Sequence, residues 1–203
     1  MMVFSLLSLG GKQSPEAQFW AWFEKNEDML YHFERDQERT FGTLKAEMSK
    51  VHPDLTFEFG PVEDGKREFV ISADGLKDAF PAVESLYASA PSLSRWKVTK
   101  FRPRRPPMTI RIGDLHLEPS DVEVAVEADG DKAGFTVFMK KYDESQKNQF
   151  AQAAFLMLDQ AIGEYDMETK VGFIEVNPFE KESPYQRHGI ESLPKMFDEF
   201  IKR

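Results

Sequence analysis

The chain has no cysteine among its 203 residues. That excludes disulfide staples, thiolate metal sites and cysteine nucleophiles, and it fits a reducing compartment. It also lacks HExxH and HxH spacings, G-x-G-x-x-G and G-x-S-x-G. A metal or dinucleotide site therefore has no local signature, and neither metal nor cofactor is expected. Gly10-Gly11-Lys12 suggests a phosphate loop, but the first glycine of G-x-x-x-x-G-K would fall at Leu6, and no strand precedes it. Long hydrophobic runs are missing too. The opening MMVFSLLSL is apolar, has no basic flank, and is too short to span a bilayer. A flexible start over residues 1–13 and a cytoplasmic location are the resulting expectations.

What is present is a pattern that occurs twice. Leu55, Phe57 and Phe59 alternate with polar or small residues, as a half-buried strand requires. Asp64-Gly65 turns the chain, and Phe69, Ile71 and Ala73 form the next inward row. Asp74 is placed to cap a helix carrying Leu76, Phe80, Val83, Leu86 and Tyr87 on one face. Trp96 to Phe101 returns as a strand. The order repeats over 122–177, with rows Val122, Val124, Val126 and Phe135, Val137, Met139. Ser145 then caps a helix through Ile162, and a strand runs from Val171 to Val176. Met108, Ile110 and Ile112 suggest one extra strand between the units.

The N-terminal third reads as helical. Ser14 caps a helix with Pro15 at its first position, and Phe19, Trp20 and Phe23 form its apolar stripe. Asn26 and Thr40 are the expected caps of two further segments. Residues 190–203 form a last amphipathic helix through Leu193, Met196, Phe197 and Phe200.

These readings predict an α+β fold: a mostly antiparallel sheet with helices on one face, built as two tandem ββαβ units behind an N-terminal helical segment. The segments divide as 14–105 (helices and first unit), 106–180 (second unit with its extra strand) and 181–203 (C-terminal helix). One continuous seven-stranded sheet would give the same string.

The segments Phe19-Trp20-Ala21-Trp22-Phe23-Glu24-Lys25-Asn26, Val51-His52-Pro53-Asp54-Leu55 and Trp96 to Arg105 (WKVTKFRPRR) resemble a family of uncharacterised bacterial proteins. The resemblance covers most of residues 15–105. It implies a bacterial cytosolic origin and carries neither an activity nor a functional residue across.

Charge is strongly segregated. The chain is net −9, yet Arg95, Lys97, Lys100, Arg102, Arg104, Arg105 and Arg111 fall within 17 residues free of acids, leaving −16 for the remainder. Pro103, Pro106 and Pro107 stiffen the Arg104-Arg105 region into an extended arm. The ordinary explanation is pairing with outward acids such as Glu58, Glu68, Glu123, Glu127 and Glu175. The functional one makes Lys100, Arg102, Arg104, Arg105 and Arg111 a binding surface for an acidic partner or a phosphorylated ligand, since guanidinium forks suit both. Nucleic acid is disfavoured, because the acidic remainder repels phosphates and few aromatics interleave with the cations.

Catalysis would need convergent acid–base groups. His116, Glu118 and Asp74 are the candidates, and capping explains Asp74 as well. The leading expectation is a non-catalytic protein-binding module of adaptor or immunity type. The alternatives are an enzyme or small-ligand binder taking an anionic substrate between the units, and a structural homodimer subunit.

Overall fold

The computed structural model describes residues 13–202. The apolar run 1–9, the glycine–lysine stretch and nearly all of the expected flexible start lie outside them.

Helix α1 (Pro15–Lys25) begins as expected, with Ser14 Oγ accepting the Ala17 N–H at 3.2 Å and Pro15 in the first turn. Its Phe19, Trp20 and Phe23 are buried, and the Trp20 indole donates to the Leu86 carbonyl at 2.9 Å. Short α2 (Glu27–Tyr31) and α3 (Gln37–Met48) follow. Asn26 makes no side-chain cap of α2; its amide instead donates back to the Trp22 carbonyl. The cap of α3 is Asp36, not Thr40, which sits a turn inside with its N–H on the Asp36 carbonyl and only 2% of its surface exposed.

Strands β1 (Thr56–Glu63) and β2 (Lys66–Ser72) form an antiparallel hairpin. Its tip is Asp64-Gly65, both with positive φ (50° and 76°), the geometry a two-residue turn between twisted strands demands. Helix α4 (Phe80–Ala88) then carries the chain back, and β3 (Trp96–Lys100) lies parallel to β2, with Phe69 opposite Val98. The parallel pairing is a consequence of the crossover: a helix returning over the sheet brings the next strand in at the same end.

The second unit likewise has a hairpin, a helical crossover and a parallel strand, but its crossover holds two helices. Strands β6 (Val122–Asp129) and β7 (Lys132–Met139) form a hairpin; α5 (Lys147–Ile162) and α6 (Glu164–Lys170) cross over; β8 (Val171–Pro178) runs parallel to β7. The two-residue strand β9 (His188–Gly189) closes the other edge on β6, and α7 (Leu193–Ile201) packs below. Between the units, β4 (Ile110–Ile112) and β5 (Leu115–Leu117) make a small hairpin whose Ile110, Leu115 and Leu117 join the second core.

The fold is therefore α+β. Antiparallel pairings predominate, but each crossover strand is parallel to its neighbour. The strands lie in three separate sheets, not one continuous seven-stranded sheet. Two hydrophobic cores result. The first gathers α1, α2, α3 and α4 around Phe69, Ile71 and Trp96; the second gathers α5, α6 and α7 around Phe135, Val137 and Met139. The first is aromatic throughout, with Phe23 5.0 Å from both Phe69 and Trp96 by ring centres. Among the described residues no helix is long and apolar enough to cross a membrane.

Candidate functional site

The site is the seam where the two units meet, and the proline–arginine arm forms it. Residues 101–108 run as a strap between the cores. Phe101 leaves β3 with φ 60°, an uncommon conformation for a bulky residue, while its N–H still donates to the Ile71 carbonyl at 2.7 Å. Its ring packs on Phe80 and on Tyr165 of the second unit, at 4.6 and 5.1 Å between centres. Farther along, the Arg105 N–H donates to the Gln160 carbonyl at 2.7 Å, and the Met108 N–H to Gln160 Oε1 at 3.2 Å.

Glu164 holds the centre. It is fully buried, and its carboxylate accepts three backbone N–H groups: Ala73 at 3.0 Å, Gly75 at 3.1 Å and Arg102 at 2.9 Å. The receiving turn has Asp74 and Gly75 at φ 52° and 79°, so that the Ala73 and Gly75 N–H groups converge on one carboxylate oxygen while the Asp74 N–H between them donates to Ser72 Oγ at 3.0 Å. The Glu164 N–H donates in return to the Arg102 carbonyl at 3.0 Å. Gly163, at φ 83°, ends α5 and brings the backbone against the strap; a Cβ there would lie 3.2 Å from the Arg102 carbonyl oxygen.

The arginines fasten the strap on both sides. Arg102 Nε meets Asp159 Oδ2 at 2.9 Å, and Nη1 meets Asp74 Oδ1 at 2.7 Å and Ser72 Oγ at 3.2 Å. Burial alone would disfavour its charge, but Asp159, Glu164 and Asp74 outweigh that and hold the guanidinium more firmly protonated than usual. Burial pushes the Asp159 carboxyl above its ordinary range, with Arg102 offsetting part of the rise. Arg104 grips the second unit alone, through the Ile162 carbonyl at 3.0 Å and Asp166 and Asp198 at 2.8 Å each. Arg105 turns to the first unit and meets Glu68 at 2.8 Å. Burial works against the Glu68 carboxylate, but Thr99, Arg105 and Lys97 more than compensate and keep it below the usual range.

Lys100 pairs with Glu84 at 3.1 Å, Lys97 with Glu68 at 3.4 Å and Arg95 with Asp28 at 3.7 Å. Six of the seven cations in the basic stretch thus have carboxylates in salt-bridge range. Of the acids expected to face them, Glu58 and Glu68 do; Glu123 pairs with Arg187, Glu175 with Lys181, and Glu127 accepts from Thr136.

Arg111 and His116 stand opposite each other, exposed, on β4 and β5. The Glu118 N–H donates to Asp121 in the 3-10 turn that follows. Asp74 is not the expected helix cap. It occupies the left-handed turn ahead of a 3-10 segment, α4 starts only at Phe80, and its carboxylate is taken by Arg102. The Ser145 cap is displaced similarly: Asp143 Oδ1 receives the Ser145 N–H and hydroxyl.

Sequence reasoning missed Glu164 altogether. A signal was available, because Gly163 ends one helix and the acids Glu164 and Asp166 fall in the first turn of the next. Nothing local, however, tells a buried acid from an exposed one at a helix start.

Open clefts flank the strap. One, about 480 Å³, lies between the units and is lined by Lys100, Phe101, Arg102, Arg104, Ile162 and Tyr165, among others. Another, about 440 Å³, runs between the strap and α5 and is lined by Glu58, Asp74, Arg102, Met108, Leu156 and Asp159, among others. His116 and Glu118 line neither. Among the described residues no group of three or more histidines and acids is arranged to hold a metal ion. Compared with known proteins, the chain matches no family model, no curated protein and no solved structure.

Proposed function

We propose that the chain is a non-catalytic protein-binding module of the bacterial cytosol, of the adaptor or immunity type. The observation that carries this reading is the character of the seam's surface. Met108 (59% exposed), Tyr165 (45%) and Leu156 (39%) stand out of open clefts, beside arginines already fixed by ion pairs. Rigidly held arginines with neighbouring tyrosine and methionine are the composition of protein contact surfaces, where little side-chain freedom is left to lose. The candidate acid–base groups do not converge. His116 and Glu118 lie away from the clefts that the arginines line, and Asp74 is committed to Arg102.

The test is affinity capture from the source cell with the wild-type chain and with a Met108→Asp, Tyr165→Asp variant of verified thermal stability. A stoichiometric partner that the variant loses is the expected result. Equal capture by both would remove this face as the contact, and no stoichiometric partner at all would count against a binding module.

One observation favours a second reading, a small-ligand binder or enzyme for an anionic substrate between the units. Lys100, Arg102 and Arg104 all line the 480 Å³ cleft. An anion there must compete with Glu84, Asp166 and Asp198 for those cations. Titration with inorganic phosphate at fixed ionic strength separates the readings, since only this one expects a saturable rise in melting temperature.

A further inference from the structure

We propose that the groove between the strap and α5 receives a basic segment of a partner protein in which arginine or lysine alternates with large apolar side chains. The inference rests on the protein-binding reading and names the partner's chemistry. One wall of the groove is apolar: Met108, Phe155 and Leu156 line it together, and Met108 is the most exposed of the chain's large hydrophobic residues that the structure describes. An unbranched, polarisable methionine adapts to the side chain set against it. The groove is also lined by acids, one of them, Asp159, on the same helix as Phe155 and Leu156. Glu58, Asp74 and Asp159 all face one guanidinium, that of Arg102, at 4.0, 2.7 and 2.9 Å. Arg105 also lines the groove; it pairs with Glu68 at 2.8 Å, and its charge acts on Glu58 as well.

Three carboxylates thus face two guanidiniums in the groove, and Asp74 and Glu58 keep 75% and 46% of their side-chain surface open. An incoming guanidinium or ammonium would find accepting oxygens without displacing Arg102. An aliphatic or aromatic neighbour on the same segment would cover Met108 and Leu156. An acidic segment would instead meet the open Asp74 and Glu58 carboxylates. The volume, about 440 Å³, lies within the range of about 300–1,000 Å³ usual for ligand clefts. The chain's net charge of −9 also speeds the approach of a basic partner.

The probes are fluorescein-labelled twelve-residue peptides of alternating Arg and Leu, Arg and Ser, or Glu and Leu, read by anisotropy at near-physiological salt. The Arg–Leu peptide is expected to bind at least about tenfold more tightly than the Arg–Ser peptide, with no saturable binding of Glu–Leu. A Met108→Ser, Leu156→Ser variant should lose about tenfold for Arg–Leu and little for Arg–Ser. Glu58→Gln should weaken both basic peptides. Equal binding of the two basic peptides, or an unchanged Arg–Leu affinity in the serine variant, would mean bulk attraction to an acidic protein and would overturn the proposal. Preference for Glu–Leu would overturn it in favour of the arginines as the contact. If capture from the cell succeeds while the Arg–Leu peptide fails, only the partner chemistry is wrong; if capture fails as well, the binding reading falls with it.

Discussion

The Glu164 carboxylate of the second unit accepts the backbone N–H of Ala73 in the first, across 91 positions of sequence, at 3.0 Å. With the Gly75 and Arg102 N–H groups it forms a buried anion site that is filled from within the chain. The seam is thus a polar lock between two apolar cores. Its strength comes from the cost of leaving any one of its groups without a partner.

Glu164→Ala leaves the buried Ala73 N–H and the half-buried Gly75 and Arg102 N–H groups unpaired. At about 1–3 kcal/mol for each such group, a loss of about 3–5 kcal/mol in urea unfolding is expected. Glu164→Gln keeps the shape but turns an amide toward one of the donors, so it should cost less than alanine and still more than about 1 kcal/mol. Wild-type stability in both variants would mean that the lock adds nothing.

Arg102→Met strands Asp159, whose side chain is only 8% exposed, and should cost about 3–5 kcal/mol. Pairing it with Asp159→Leu removes the orphaned charge. The double variant should regain more than half of that loss, because an apolar pair replaces a buried ion pair at little net cost. A double-mutant cycle that sums to the two single losses would contradict this coupling.

Asp166 carries a pH prediction. Burial opposes its charge, but Lys170 and Arg104 more than compensate and hold its carboxyl below the ordinary aspartate range. A carboxyl depressed in the folded chain adds stability that is complete above its unfolded pKa and is lost as pH falls through its folded one. Asp166→Asn should therefore cost about 1–2 kcal/mol at pH 7, and that difference should close on acidification below pH of about 4. A difference independent of pH would show that packing, not charge, holds this position.

Gly134 on β7 lies under the Phe173 ring of β8, and a Cβ at that position would clash with ring carbons. Gly134→Ala should destabilise by about 1–3 kcal/mol through overpacking. Adding Phe173→Ala opens the space. The double variant should then be more stable than the sum of the two single changes predicts, and strict additivity would place the ring elsewhere.

Much of the architecture was legible in short stretches. Period-two rows at Phe69, Ile71 and at Phe135, Val137, Met139 became the inner faces of the central strands, and Asp64-Gly65 turned where its chemistry demands. Caps were less legible. Thr40 and Ser145 have the right side chains, but Asp36 and Asp143 lie nearby with equal competence, and the local string does not rank them. The arginine stretch stood out as a charge anomaly. Its acceptors Asp159, Asp166 and Asp198 come from distant α5, α6 and α7, and no spacing links them to it.

Short-range pattern was enough for the α+β class, the alternation of strands and helices in each half, the absence of thiol chemistry and the gathering of seven cations in one acid-free stretch. Those properties live in periodicity and composition, which act over a few residues. Long-range packing set the rest: each crossover strand lies parallel to its neighbour, the strands fall into three sheets, and the arm is a strap bolted between two cores with Glu164 at its centre. Ion pairs and buried polar contacts depend on which distant segments share a low-dielectric space, and packing alone sets that.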